Sequence, residues 1–348
     1  MRKYPVRVDV FINSKAGRAN RLALEEPIRE ALFRCNIRFH GPETALESQR
    51  QIRRVMEKGT DALLICGGDG TLNQCLQPLL EGRDRGLEPP PIGVISAGTA
   101  NDLAAELGLS RKVDRAARSI IEADYRSVDV LEVAAGNEKK YIVTNGGAGL
   151  PADTARLANR LRAAVSYGGG LFGQLGAFGT SAVGNLARSL ASLAFRKMGS
   201  HIYELFLLYY LVAWKRDQWR LEVKSGKRQF ITESPFVMVN NQTSLGGTFT
   251  PAPATSNGDG TFNFFALETR AGIFELKALW DLRRGEMPAQ SKFHSFETDS
   301  VTLRSLGERQ ITFFGDGEII YEDVPEVTVR CHSPGVRIFT NSENGDNP

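Results

Sequence analysis

Histidine, cysteine and long apolar runs are scarce in this 348-residue sequence. Its four cysteines show no Cys-x-x-Cys spacing, and its four histidines are scattered without a His-Glu-x-x-His motif. We therefore expect reduced thiols, and neither a disulfide framework nor a histidine-based metal site. The longest dense apolar run covers 205–214, about half the length of a helix that spans a bilayer. The sequence thus predicts a protein without a transmembrane helix.

An excess of charge of either sign is also missing. The chain has 43 Lys+Arg and 40 Asp+Glu, a net charge of +3, which is small for a dedicated nucleic-acid binder. No apolar stretch of signal-peptide length follows Met1, so we expect a cytoplasmic location. Glycine, in contrast, is abundant at 35 residues, and such glycine indicates loops where backbone approaches a ligand.

The first 125 residues alternate between apolar strands and helical patterns. Continuous apolar runs at 62–66 and 92–95 are typical of strands buried on both faces. Strands that alternate with helices at this spacing predict βαβ units on a parallel sheet. Beyond residue 125 short β-type segments predominate, which predicts a mainly antiparallel second domain with a helical insert at about 153–198. The tail 341–348 reads as flexible.

Two glycine loops follow consecutive strands of the predicted parallel sheet. One runs from Gly67 to Asn73 and the other from Gly98 to Leu103, each at the start of a helix. An open α/β sheet binds its ligands at this edge, and a helix N-terminus there attracts phosphate. Asp69 would repel phosphate unless it also held Mg²⁺. Plain turns and helix caps are the alternative for either loop, but the pair favours nucleotide binding.

The residues of these loops resemble a known family. Gly-Gly-Asp-Gly-Thr at 67–71 with Asn73, followed by 91–102, is similar to the diacylglycerol kinase catalytic domain of bacterial lipid kinases. Further similar segments are 239–260 and 316–318, so the resemblance runs over about 13–340. NAD kinases and phosphofructokinases share a loop like the first one. The Gly-Thr-Ala-Asn-Asp sequence at 98–102 is the discriminating motif.

The resemblance implies a site for ATP and Mg²⁺ and two domains. The N-terminal α/β domain, like that of NAD kinases and phosphofructokinases, would cover 1–129 together with 325–340. A C-terminal β-sandwich at 130–324 would receive the lipid substrate. The implied nucleotide-binding residues are Asn13, Lys15, Gly17, Arg18, Thr44, Gly67, Gly68, Asp69, Gly70, Thr71, Leu72, Asn73, Gly98, Thr99, Asn101 and Asp102.

Asp316-Gly317-Glu318 stands between two apolar segments. On local sequence it is a hairpin turn with Asp-Gly at its tip. The resemblance makes it the motif that supplies the catalytic carboxylate. Asp316 and Glu318 are then both candidates for the general base, and the sequence does not choose between them.

A second acidic turn occupies 257–261. The resemblance implies a structural Mg²⁺ or Ca²⁺ here, held by the Asp259 carboxylate and by backbone carbonyls of Ser256 and Thr261, which are oxygens that hard cations accept. The chain departs from the family pattern at Asn263, where an aspartate is common. One formal charge fewer weakens such a site, and a plain turn is the alternative.

The segment 154–203 contains no acidic residue. Its basic residues are Arg156, Arg160, Arg162, Arg188, Arg196 and Lys197. Each basic side chain near anionic lipid contributes about 1 kcal/mol. Apolar residues between 171 and 178 add an edge that could enter a membrane. We therefore expect peripheral association with anionic phospholipid; a solvated helix of the second domain is the alternative.

Together these patterns predict an ATP-dependent lipid kinase that phosphorylates a hydroxyl of a diacylglycerol-like or other long-chain lipid. An NAD kinase or another small-molecule kinase is the alternative enzyme. A lipid- or nucleotide-binding regulator without catalysis is the alternative from another class. We expect a lipid partner at a membrane surface and no nucleic acid, and we leave a homodimer open.

Overall fold

The computed structural model describes most of the chain outside the predicted helical insert. The described residues are 7–13, 21–98, 101–156, 159, 220–244, 250, 252, 254–267, 281, 284, 286 and 293–340. Several sequence predictions lie outside them: Lys15, Gly17, Arg18, Thr99, nearly all of the insert, and the tail 341–348.

The N-terminal part is an α/β unit around a parallel sheet, as predicted. Its strands are β1 (Arg7–Ile12), β2 (Asn36–His40), β3 (Ala62–Gly67) and β4 (Ile92–Ser96), which pair in the order β2-β1-β3-β4. The described helices are α1 (Arg21–Ala31), α2 (Ala45–Lys58), α3 (Asp69–Asp84), α4 (Asp102–Glu106) and α5 (Val113–Glu122). Every residue of β3 is buried, as expected for a strand covered by helices on both faces.

Helix α2 illustrates how the sequence produces this packing. Its buried residues include Ile52, Val55 and Met56, whose spacing places them on one face of the helix. They join one apolar cluster with Phe11 of β1 and Leu76 of α3. The three arginines of the helix lie at other positions, so one face of the helix can be buried although most of its residues are polar.

The C-terminal part is a β-sandwich. Its strands are β5 (Tyr125–Ala135), β6 (Glu138–Ile142), β7 (Asn145–Gly149), β8 (Leu221–Ser225), β9 (Arg228–Thr232), β10 (Phe236–Asn240), β11 (Phe262–Leu267), β12 (Phe293–Thr298), β13 (Ser300–Ser305), β14 (Ile311–Gly315), β15 (Glu318–Val324) and β16 (Glu326–Phe339). One sheet is antiparallel, in the order β12-β11-β10-β7-β14-β15. Its inner face packs on β8, β13 and β16 through a shared cluster that includes Phe264, Val223 and Leu303.

Strand β16 joins the two parts. Its first half pairs with β13 and β5, and Val327 and Val329 enter the core of the sandwich. Its last residues reach β4, where Ile338 pairs in parallel with Ile92 and packs in the core beside α2 and α3. The parallel strands and part of the sandwich therefore form one ten-stranded sheet. The domain boundaries at 129 and 325 stay a prediction.

Strand β7 was not predicted from the sequence. Its residues, Asn-Gly-Gly-Ala-Gly, have low strand propensity, and the predicted strand at 140–145 corresponds mainly to β6. The structure explains the glycine at 147, because a Cβ there would collide with the backbone carbonyl of Val237 on β10. In the described ranges, no helix combines the length and the apolar character needed to cross a bilayer.

Candidate functional site

Three adjacent strands of the parallel sheet end at the candidate site. Asn13 follows β1, and its Nδ2 donates a hydrogen bond of 2.9 Å to Oγ1 of Thr71 in the first glycine loop. That loop also contacts the one after β4, because the N–H of Ala97 donates to the carbonyl of Gly67 at 2.9 Å. The structure thus brings Asn13 and the two glycine loops together.

The two loops pack backbone against backbone at Gly68 and Gly98. A Cβ on Gly98 would lie 2.5 Å from the Cα of Gly68, and a Cβ on Gly68 would lie 2.9 Å from the Cα of Gly98. A Cβ on Gly67 would collide with the side chain of Thr71. Glycine is required at these positions because the loops leave room for hydrogen only.

Side chains hold the second loop and the start of α4 in place. Asn101 has left-handed backbone (φ 54°), and its Oδ1 accepts from the N–H of Gly98 at 3.1 Å. Burial raises the pKa of Asp69, and backbone N–H groups of Asp102, Asn101 and Leu103 at the start of α4 partly offset the effect. The structure thus places the Asp69 carboxylate beside the start of α4; metal binding by Asp69 stays a prediction.

Asn73 connects the first loop to the predicted catalytic turn. Its Nδ2 donates to Oδ2 of Asp316 at 2.6 Å and to the carbonyl of Tyr141 at 2.9 Å. One helical turn later, Gln77 both donates to the carbonyl and accepts from the N–H of Tyr141, at 2.7 and 2.9 Å. Sequence reasoning missed Gln77, although its spacing from Asn73 places both on one face of α3.

Asp316 lies in a two-residue turn between β14 and β15. Its φ of 50° and that of Gly317, 80°, suit a type I′ hairpin. The buried Oδ1 accepts from the Thr144 hydroxyl at 2.6 Å and the Thr144 N–H at 2.9 Å, and Val143 N–H lies 3.2 Å from both oxygens. Burial raises the pKa of Asp316, while these donors and Asn73 act in the opposite direction. Its carboxylate therefore holds the hairpin in place.

Glu318 occupies a different environment two residues later. It is exposed, and its Oε2 accepts from Nδ2 of Asn159 at 3.1 Å. Its Oε1 faces the glycine loop, since a Cβ on Gly70 would lie 3.7 Å from it. The sequence did not distinguish the two carboxylates, but the structure does. The Asp316 carboxylate is hydrogen-bonded within the protein, and the Glu318 carboxylate is exposed beside the first glycine loop.

Two other predicted nucleotide residues have structural partners. Thr44 is exposed after β2 and caps α2, because its Oγ1 accepts from the N–H of Glu47 at 3.2 Å. Leu72 buries its side chain in the core beside α2, so only its backbone is part of the loop. Their roles in nucleotide binding stay predictions.

The acidic turn predicted to bind a cation is stabilised by its own hydrogen bonds. Oδ1 of Asp259 accepts from the N–H and the hydroxyl of Thr261 at 3.0 and 2.9 Å, and Ser256 is exposed. Beside it, Oδ2 of Asp129 accepts from Gly260 N–H, while its buried Oδ1 has no partner among the described residues. These oxygens suit a hard cation. Within the described ranges no three His, Cys, Asp or Glu side chains cluster as metal ligands, and the cation stays a prediction.

Comparison with known families matches both parts of the chain. Residues 7–133 match the diacylglycerol kinase catalytic domain. Residues 177–339 match the YegS C-terminal NAD kinase beta sandwich-like domain. The first match contains both glycine loops, and the second contains the hairpin that carries the two carboxylates.

Similar proteins fall in the same group. A diacylglycerol kinase of Mycobacterium tuberculosis is 33% identical over 120 residues, which are 34% of this chain and 37% of that protein. A "Probable lipid kinase YegS-like" of an Enterobacter species is 32% identical over 126 residues, 35% of this chain and 40% of that protein. The chain thus spans about two fifths of the length of these relatives.

A solved structure extends the likeness in fold to nearly the whole chain. The crystal structure of a diacylglycerol kinase from Bacillus anthracis aligns with a TM-score of 0.66 and 16% identity. The alignment covers 97% of this chain and 98% of that one. At this identity the match establishes the arrangement of the α/β unit and the sandwich.

Proposed function

From the matches to the diacylglycerol kinase catalytic domain and the YegS C-terminal domain, we propose that the chain is an ATP-dependent lipid kinase. It transfers the γ-phosphoryl group of ATP to a hydroxyl of a diacylglycerol-like or other long-chain lipid. The observation that carries this proposal is the approach of Glu318 to Gly70, which places an exposed carboxylate beside a loop suited to phosphate.

The glycine loops bind the ATP phosphates in this proposal. Gly68 and Gly98 bring two stretches of backbone into contact, so N–H groups of both loops and the N-terminus of the 16-residue helix α3 face the same edge of the sheet. Backbone donors and a helix dipole stabilise phosphate without needing a lysine. Asn13 and Thr71 keep the end of β1 against this edge.

Mg²⁺ that accompanies ATP supplies charge neutralisation for phosphoryl transfer. Direct binding of this ion by Asp69 stays a prediction, because backbone N–H groups at the start of α4 also act on its carboxylate. We propose that the ion binds through the ATP phosphates, and the acidic turn with Asp259 remains the candidate for a second, structural cation.

Glu318 is the general base of the proposed reaction. A base must lie within reach of the hydroxyl that it deprotonates, and an exposed carboxylate at the phosphate loop meets this requirement. Asp316 positions it: the four donors from Asn73, Val143 and Thr144 fix the turn that carries Glu318. Asn159 donates to Glu318 and orients its carboxylate.

The test uses the purified chain with labelled ATP and a total lipid extract. We expect label on a neutral lipid alcohol, with Glu318→Gln reducing turnover by about 10²–10⁴-fold while ATP binding is unchanged. Glu322→Gln is the matched control, because Glu322 is a second exposed glutamate of β15. Label that appears only on a nucleotide would support the small-molecule kinase instead, and no transfer at all would support a regulator.

The second part of the proposal concerns how the chain reaches its lipid substrate. The acceptor lipid resides in a bilayer, and we propose that the arginines of 154–203 bring the chain to anionic phospholipid. Binding to vesicles should rise with their anionic lipid content and fall with salt, since exposed charges are screened. Salt-insensitive binding would contradict the role of the arginines.

A further inference from the structure

A row of amide side chains crosses the outer six-stranded sheet. Asn240 on β10 lies directly opposite Asn145 on β7 and Asn263 on β11. Directly opposite residues of antiparallel strands point to the same face, with Cβ atoms about 4.5–5.5 Å apart. We call Asn145, Asn240 and Asn263 the amide row. Glu297 of β12 lies opposite Asn263 and continues the row toward solvent.

The amide row is buried, and several of its polar atoms have no hydrogen-bond partner among the described residues. Asn240 is completely buried, and neither its Oδ1 nor its Nδ2 has a partner in the described part of the chain. Oδ1 of Asn145 and Oδ1 of Asn263 are also buried without a partner there. A buried polar group without a partner costs about 1–3 kcal/mol, so native proteins keep few of them. Several unpartnered polar atoms in one row indicate a site that hydrogen-bonds to a ligand.

The row leads to the proposed catalytic hairpin. The carbonyl of Asn145 accepts from the N–H of Asp316 at 2.9 Å, and the adjacent Gly146 pairs with Gly315 of β14. Its other end is exposed at Glu297, whose Oε1 accepts from Nδ2 of Asn263 at 3.1 Å. The row therefore runs from solvent to the turn that carries the proposed base.

The loop after β10 also connects this end of the sheet to the nucleotide side. The hydroxyl of Thr243 donates to the carboxylate of Glu106 on α4 at 2.9 Å, and the carbonyl of Ser244 accepts from Nδ2 of Asn145 at 2.7 Å. A molecule bound along the row would thus lie between the second glycine loop's helix and the hairpin.

We propose that the amide row binds the uncharged polar part of the lipid acceptor and directs its hydroxyl toward Glu318. This inference rests on the proposed function. A carboxamide both donates and accepts: Nδ2 donates to an ester carbonyl, and Oδ1 accepts from a hydroxyl. Because the row itself carries no charge, it favours a neutral ester-bearing alcohol over an acceptor with an ammonium group, which would need a buried carboxylate.

The decisive variant is Asn240→Leu, which keeps the number and branching of the side-chain heavy atoms and removes both unpartnered polar atoms. We expect its affinity for 1,2-dioctanoyl-sn-glycerol, titrated without nucleotide, to fall at least about tenfold. Its thermal midpoint should be unchanged or higher, because the free protein loses two unsatisfied polar groups. Its affinity for a non-hydrolysable ATP analogue should match that of the wild type.

Ser234→Ala is the matched control. Ser234 is completely buried at the opposite end of the same strand pair, and its hydroxyl is bonded to the carbonyls of Phe236 and Leu267. We expect this variant to have a lower thermal midpoint and unchanged affinity for dioctanoylglycerol. If Asn240→Leu does not fold, Asn263→Leu tests the row at its outer end, and its affinity for dioctanoylglycerol should also fall.

The outcomes separate the row from the proposed function. A lower midpoint of Asn240→Leu with unchanged lipid affinity would overturn the inference, because the amide would then be structural. Equal affinity of the wild type for sphingosine and dioctanoylglycerol would also overturn it. Lipid binding that depends on the row, without phosphate transfer by the wild type, would support the inference and contradict the kinase proposal.

Discussion

The glycine loops and the amide row meet at the Asp316 hairpin but are built in opposite ways. In the loops, Asn101 is bonded to Gly98, and backbone contact leaves no room for a Cβ. In the row, Asn240 is completely buried, and in the described ranges its amide atoms have no partner.

This difference separates two kinds of binding site. The loops are rigid because their side chains are bonded within the protein, which leaves recognition of a ligand such as phosphate to the backbone. The row retains hydrogen-bonding capacity at a cost in stability, as sites selected for binding commonly do. Substitutions should therefore destabilise the loops and spare the stability of the row.

The largest effect is expected for Asp316→Ala, where the two regions meet. The change leaves the donors of Asn73, Val143 and Thr144 unpaired in a buried place. We expect the free energy of unfolding to fall by about 3 kcal/mol or more, measured by chemical denaturation. Glu322→Ala on exposed β15 is the control; equal midpoints for the two variants would show that Asp316 does not hold the hairpin.

Gly98→Ala should have the next largest effect. Its new Cβ meets the backbone of Gly68, which cannot move aside as a side chain can, so we expect a loss of about 1–3 kcal/mol and weaker ATP binding. Gly70→Ala sharpens the test, because among the described residues only Oε1 of Glu318, at 3.7 Å, lies near its Cβ. It should keep its thermal midpoint; a loss equal to that of Gly98→Ala would refute the packing argument.

The smallest effect concerns Asp9 on β1, away from both regions. Burial raises the pKa of Asp9, but hydrogen bonds from His40 and Thr60 and the charges of His40 and Arg38 outweigh it, so the pKa is lowered. A lowered carboxyl pKa adds stability above the unfolded-state value, near 3.9, and this is lost as pH falls through the folded-state value.

Asp9→Asn tests this contribution. Above pH 4 the variant should be less stable than the wild type by less than about 1 kcal/mol. The gap should close on acidification, as followed by denaturation at several pH values. A gap that widens as the pH falls would contradict the sign.

The fold was largely predictable because its first part follows local rules. The run 62–66 indicated a buried strand, and the glycines at 67–70 marked its end, so the sheet edge with both loops followed from connection rules alone. Strand β7 was not predictable, since its glycines are explained by close approach to Val237, a residue far away in sequence.

The sequence motifs identified the candidate site, but they did not show which of its two carboxylates has which role. The Asp-Gly-Glu sequence identified both carboxylates, but only the tertiary structure surrounds Asp316 with donors and leaves Glu318 exposed. The amide row had no sequence signal, because its members come together through the register of three strands. Register depends on pairing between distant segments, which no local pattern encodes.

Strand β16 also constrains how the protein is made. The parallel sheet needs Ile338 beside Ile92, and β5 pairs with β16 along most of its length. During synthesis, one edge of β4 therefore stays unpaired until residues 326–339 have left the ribosome. Such late, long-range closure slows folding and exposes an edge to aggregation. Expression of this chain should accordingly depend on chaperones that bind the nascent N-terminal part.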